Sequence, residues 1–209
     1  MLLLTIILLG YLIGSIPTAV WVGKAFHGID IREHGSKNAG ATNTFRVLGK
    51  RSGWFVLLVD VSKGVLAACL PHFFAYVLIG YKDEFLILQL CGSFSAVFGH
   101  VFPVFANFRG GKGVATSLGI VIGINPYAAL VCLAIFLVVF LRSRFVSLGA
   151  ITAALCFPFI SYFMIKEDAR IMIIFTVVLG LLVILAHRKN IDRLLTGQES
   201  KMNLFSKKA

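Results

Sequence analysis

Two glycine-rich basic strings have the composition of anion-binding loops: Gly35-Ser36-Lys37-Asn38-Ala39-Gly40-Ala41-Thr42-Asn43 and Arg109-Gly110-Gly111-Lys112-Gly113. Glycine lets several backbone N–H groups converge on one concavity, and a neighbouring Lys or Arg adds full positive charge. That combination suits phosphate. In the first stretch Ser36, Lys37, Asn38, Thr42, Asn43 and Arg46 fall within eleven residues. In the second, Gly110, Gly111 and Lys112 stand where a helix should start. The second string is not a nucleotide-triphosphate loop: Ala106 occupies the place of that motif's first glycine, and Gly113 follows the lysine where Ser or Thr is required. A monoester or acyl phosphate fits it better. A third polar cluster, His187-Arg188-Lys189-Asn190-Ile191-Asp192-Arg193, puts His187 and Asn190 three apart, on one face if the helix continues. Tight turns, cytoplasmic loop charge and a cation at a helix end explain any one of these clusters. The three together favour a phosphorylated substrate.

The elements that position these clusters are membrane spans. The 209 residues are 58% hydrophobic and only 14% charged, with a mean hydropathy of +0.91. Those values place the chain among polytopic, all-α membrane proteins and leave no stretch for a soluble domain. Seven apolar runs are expected as helices: Leu2–Val22, Trp54–Gly80, Phe85–Ala106, Val114–Ile124, Tyr127–Leu141, Phe145–Ile165 and Ile171–Ala186. Two of them, at 11 and 15 residues and separated by Asn125-Pro126, are short and could be one kinked helix. Charge decides between the two. With seven spans, 16 Lys and Arg share one side against three on the other; with six, the split is ten against nine. The positive-inside rule therefore predicts seven transmembrane helices, an external N-terminus and a cytoplasmic C-terminus. The whole chain, 1–209, reads as one integral-membrane domain, with 200–209 a loose basic tail.

The net charge of +11 follows from cytoplasmic loops facing anionic membrane lipid and calls for no nucleic acid. Cys69, Cys91, Cys132 and Cys156 all fall inside apolar runs, as small hydrophobes rather than ligands. Trp21 and Trp54 flank the first loop at headgroup depth. Asp60 and Lys63, three apart within a span, read as a neutralising pair. His100 reads as a structural hydrogen bonder. No nucleophile elbow and no metal-ligand spacing is present in the sequence, so neither a metal nor a cofactor is expected. The equipment suits a substrate that arrives already activated. A carrier of small phosphate esters is the competing function, since short broken helices and basic glycine loops would serve one; a purely structural subunit is the third.

The three clusters resemble the bacterial acyl-phosphate:glycerol-3-phosphate acyltransferases, the PlsY family. The match runs from Gly14-Ser15-Ile16-Pro17 through 35–50 and 99–119 to 187–197, in order and over nearly the whole chain. Lys37 stands where many members have a second glycine. The resemblance implies seven helices, two of them short, with cytoplasmic active-site loops in the bacterial cytoplasmic membrane. It also implies a phosphate pocket of Ser36, Arg46, Lys112 and Asn190, with His187 alongside and Ser147 as a further polar contact. The implied reaction moves a fatty acyl group from acyl phosphate to glycerol 3-phosphate, releasing lysophosphatidic acid and inorganic phosphate, with no obligate protein partner. Lys112 and Arg46 would orient the phosphates and stabilise transition-state charge. Either His187 or a phosphate oxygen of the substrate takes the hydroxyl proton, and the crowding of His187 by Arg188 and Lys189 favours the substrate oxygen.

Overall fold

In the computed structural model, which describes residues 1–77, 82–164 and 169–202, every regular element is helical. Gly80, Ile165 and Lys166, at or beyond the ends of expected spans, lie outside the described residues. The chain divides into two compact units, Met1–Pro126 and Tyr127–Ala209.

The first unit holds α1 (Leu2–Gly14), α2 (Thr18–His27), α3 (Ala41–Val47), α4 (Lys50–Cys69), α5 (Lys82–Val101) and α6 (Val114–Ile124). The first expected span is longer than its apolar run and is interrupted. Pro17 has no N–H to continue the ladder, so α1 stops and α2 restarts from it, ending at Gly28 in the left-handed region (φ +67°). Together Leu2–His27 form one 26-residue stretch apolar enough to cross a bilayer.

Apolar side chains gain little by pairing helices in lipid, so close packing must come from small residues that let backbones touch. Gly10 and Gly14 of α1 meet the carbonyls of Gly92 and Ala96 on α5; a Cβ at either glycine would overlap them. Gly119 of α6 likewise lies against the Val61 carbonyl of α4, and Gly64 of α4 against the Thr116 carbonyl of α6. α6 has only 11 residues, about 16 Å of rise and well under a bilayer's hydrocarbon thickness. Its seating against α4 thus replaces length as the source of its order.

The second unit holds α7 (Pro126–Ser143), α8 (Val146–Met164), α9 (Ala169–Ala186) and α10 (Arg188–Leu195). α7 reaches 18 residues, so of the two helices expected to be short only α6 is. Pro126 occupies its first position, where a missing N–H costs nothing, and the turn continues through Arg142 and Ser143. α9 and α10 meet at a 61° bend at His187. Among the described residues, five stretches are long and apolar enough to span a bilayer, or six if the bent pair is one span, and α6 is a further short apolar helix. The stretch expected to be a loose tail is bound as far as it is described: Met202 N–H donates to the Arg144 carbonyl at 2.8 Å, and Lys201 lies over the Phe145 ring.

Gly119→Ala puts a methyl into backbone that cannot yield. It should cost roughly 1–3 kcal/mol, as overpacking generally does, measured as a lower melting temperature of the purified protein in detergent.

Candidate functional site

Asn43 organises the first loop. Its side chain is fully buried, with Nδ2 donating to the carbonyls of Ile31 (3.1 Å) and His34 (3.0 Å) and Oδ1 accepting the Ser36 N–H (2.9 Å). A single amide thus folds the loop around itself and fixes the backbone at Ser36. Lys37 takes φ +58°, a left-handed conformation that costs a non-glycine residue on the order of 1 kcal/mol; glycine would sit there at ease. Gly40 starts α3, and Thr44 returns its hydroxyl to the Gly40 carbonyl (3.1 Å). Arg46 follows in the last turn of α3, half-buried. Its guanidinium makes no hydrogen bond or ion pair among the described residues. Asn38 is half-buried, and its Nδ2 lies 3.0 Å from the position a Cβ would take at Gly40.

Arg32 joins this loop to the second one. It binds Asp30 through Nε (2.9 Å) and Nη2 (2.6 Å), while Nη1 donates to the Ala106 carbonyl (2.8 Å). The Arg32 hydrogen bond holds the Asp30 carboxyl far below its ordinary range, against the opposing effect of burial, and Asp30 in turn raises the Arg32 guanidinium.

In the second loop the glycines do other work than an anion nest requires. The Gly110 N–H donates to the Val101 carbonyl (3.2 Å) and the Gly111 N–H to the His100 carbonyl (3.0 Å). These are carbonyls at the end of α5 that the helix leaves unpaired. Both amides are thus turned inward, and glycine is needed because a Cβ at 110 would overlap the His100 carbonyl and one at 111 the His100 ring. Lys112 follows, half-buried, one residue before Gly113, whose left-handed backbone (φ +77°) opens α6.

Beneath both loops lies a buried polar knot. Lys63 Nζ is 2.9 Å from Asp60 Oδ1 and donates to the Ile16 carbonyl (3.1 Å), which lies at the break between α1 and α2. Thr18 donates to the same Asp60 oxygen (3.3 Å), and His100 Nδ1 lies 3.8 Å from it and 3.1 Å from Thr116 Oγ1. A small cleft lined by Ala39, Asp60, Lys63, His100, Gly110 and Gly111 connects the knot to the loops.

The second unit has its own polar cluster. His187, buried at the α9–α10 bend, donates from Nδ1 to the Val183 carbonyl (2.8 Å). A carbonyl can only accept, so the neutral ring carries its proton on Nδ1 and its lone pair on Nε2. Ser147, in the first turn of α8, and Asn190 of α10 are both buried. Their side chains converge on Glu199, a residue that sequence reasoning missed. Oε1 accepts from Asn190 Nδ2 (2.6 Å) and Ser147 Oγ (2.7 Å), and Oε2 from Arg193 Nε (2.7 Å). The signal was available: Gly197, left-handed at φ +71°, turns the chain back after α10, and an acid two residues later stands in an otherwise basic tail. Burial alone would raise the Glu199 carboxyl, but the three hydrogen bonds and the Arg193 charge outweigh it and hold it below the usual 4.5.

Ser36, Asn38, Arg46, Gly110, Gly111 and Lys112 therefore belong to the first unit, and Ser147, His187 and Asn190 to the second.

Residues 4–197 match the family model described as glycerol-3-phosphate acyltransferase. The chain is 44% identical to the glycerol-3-phosphate acyltransferase of Salinibacter ruber, over 97% of this chain and 93% of that protein. It is 44% identical to that of Listeria monocytogenes, over 96% of each, and 41% identical to that of Chlorobaculum tepidum, over 98% of each. Two solved structures are also similar. The glycerol 3-phosphate form of PlsY, an integral membrane glycerol 3-phosphate acyltransferase, gives a TM-score of 0.85 at 36% identity, covering 98% of this chain and 99% of the other. The lysophosphatidic acid form gives 0.81 at 36%, covering 96% and 95%.

Glu199→Gln keeps the shape and removes the charge, so three donors lose a charged acceptor. The expected cost is about 1–3 kcal/mol, seen as a lower melting temperature at neutral pH. Because the folded Glu199 titrates below 4.5, its stabilisation is complete above that value and fades as pH falls through the depressed one. The gap between wild type and Glu199→Gln should narrow as melting is followed down in pH.

Proposed function

The chain belongs to the glycerol-3-phosphate acyltransferase family, and we propose that it moves a fatty acyl group from acyl phosphate to a hydroxyl of sn-glycerol 3-phosphate. The products are lysophosphatidic acid and inorganic phosphate. The observation that carries the phosphate chemistry is Arg46: a half-buried arginine at the end of a short helix, with no anionic partner among the described residues. A partly desolvated cation without a counterion is poised for an anionic ligand. Lys112 supplies the second charge on this unit, beside a glycine pair that packs too tightly to admit side chains.

The chemistry asks little more of the protein. Acyl phosphate is a mixed anhydride with a good leaving group, so direct attack needs no enzyme-bound acyl intermediate. The glycerol hydroxyl oxygen bonds to the acyl carbon, the bond from that carbon to the phosphate oxygen breaks, and the hydroxyl proton passes to a phosphate oxygen. Arg46 and Lys112 orient phosphate and stabilise the charge that grows on it. Ser36, Asn38, Ser147, His187 and Asn190 serve as polar contacts of the reaction, with Gly110 and Gly111 holding Lys112 in place. Ser147 and Asn190 act as a pair aligned by Glu199. His187, with its lone pair on Nε2, is a phosphate ligand when protonated there and the alternative base when neutral.

The charge distribution supports seven spans in the bacterial cytoplasmic membrane, the N-terminus outside and the glycine-rich loops in the cytoplasm. The whole chain acts as one integral-membrane enzyme using soluble glycerol 3-phosphate and a lipid-borne acyl donor.

Purified enzyme given acyl phosphate and glycerol 3-phosphate should release inorganic phosphate, and acyl-coenzyme A should not replace the donor. Arg46→Ala and Lys112→Ala should each lower turnover on the order of a hundredfold or more while the protein still folds. Wild-type turnover by a well-folded Lys112→Ala protein would remove Lys112 from the mechanism.

The pH–rate profile separates the two roles of His187. If the substrate oxygen takes the proton, His187→Ala raises the Michaelis constant and lowers turnover with the profile's shape unchanged. If the imidazole is the base, the variant loses the limb that titrates near roughly 6–7, and added imidazole restores it.

A further inference from the structure

We infer that His100 is a positioning residue for Lys112, acting through the Gly110-Gly111 backbone and itself oriented by the buried Asp60–Lys63 pair. The inference rests on Lys112 serving the reaction.

His100 holds the dipeptide from two directions. Its main-chain carbonyl accepts the Gly111 N–H at 3.0 Å. Its ring then packs edge-on against the Gly111 Cα, so closely that a Cβ there would overlap Nε2 and lie 3.1 Å from Cδ2. The Ala39 carbonyl also lies 2.9 Å from that Cβ position. The residue before Lys112 is thus packed against both the end of α5 and the first loop.

The far edge of the ring is anchored in turn. Nδ1 lies 3.1 Å from Thr116 Oγ1 on α6 and 3.8 Å from Asp60 Oδ1 on α4. Asp60 cannot drift, because the same oxygen contacts Lys63 Nζ (2.9 Å) and Thr18 Oγ1 (3.3 Å), and Lys63 is held by the Ile16 carbonyl (3.1 Å). Asp60, Lys63, Thr116 and His100 are all more than nine-tenths buried. A chain of fixed contacts therefore runs from the α1–α2 break to the lysine. Satisfying the Asp60–Lys63 pair would explain Nδ1. It does not explain why the other edge of the ring is wedged against a glycine beside the functional cation. Displacing a group by about 1 Å from its productive position can cost up to a hundredfold in rate.

The test uses the intact enzyme in detergent or bilayers, assayed well below each variant's melting temperature. His100→Asn keeps an amide near the Nδ1 position and loses the edge against Gly111. We expect kcat/KM to fall on the order of tenfold or more although the protein is fully folded. Gly111→Ala should also be impaired. The double variant should lose less than the product of the single losses, because the added methyl enters the space the ring vacates. Should His100→Asn fail to insert, Thr116→Val releases the ring at Nδ1 while preserving its volume, and should lower kcat/KM in the same direction. Wild-type kcat/KM in folded His100→Asn or Thr116→Val, or strictly multiplicative losses in the double variant, would overturn the inference. Lys112→Ala run in parallel separates the failures. If it is inactive while His100→Asn is normal, only the positioning role is lost; if it is fully active, the site assignment itself falls.

Discussion

Backbone contact between helices is the constraint on which the first unit depends. In lipid there is no water to expel from between apolar surfaces, so helix pairs hold through close packing and polar contacts. Gly10, Gly14, Gly64 and Gly119 allow that approach, each against a main-chain carbonyl of the partner helix. The resulting short separations bring Thr18, Asp60, Lys63, His100 and Thr116, from four helices, within reach of one another. The polar knot is a product of the glycine contacts. The loops above inherit their placement from both, and Arg32 then ties the first loop to the second through the Ala106 carbonyl.

Much of this was legible in the residue order, because composition and charge report directly on the bilayer. The apolar runs located the helices, the break at Asn125-Pro126 separated α6 from α7, and the i,i+3 spacing of Asp60 and Lys63 identified their pairing. The tertiary partners of backbone groups were not legible. Gly110 and Gly111 looked like donors to a ligand, yet their N–H groups are consumed by the end of α5, since a helix terminus leaves carbonyls that the next turn of chain is well placed to satisfy. Glu199 escaped notice for the opposite reason. Its significance comes from a reversal at Gly197 that returns it to Ser147, more than fifty positions earlier, and nothing local encodes that distance.

The second unit shows how a carboxylate can be accommodated among buried polar groups. Ser147 and Asn190 are both buried, and Glu199 accepts a hydrogen bond from each. The 61° bend at His187 contributes too: it ends α9 while keeping the His187 ring bonded to the last full turn, through Val183. The imidazole is therefore oriented by the helix it terminates, and α10 begins from a residue whose tautomer is already set.

Asp60 and Lys63 lie one turn apart on the same helix, and this bears on how the chain enters the membrane at all. A lone charge near the centre of an inserting helix costs about 2.5–3.5 kcal/mol at the translocon. In α4 each charge carries its counterion with it, before α5 and α6 have been synthesised. The segment can thus partition as something closer to a dipole than to two ions. When the later helices arrive, His100 and Thr116 find a neutral, oriented acceptor waiting. The order of synthesis and the order of polar satisfaction run the same way, so no intermediate must hold a bare charge in oil while it waits for its partner.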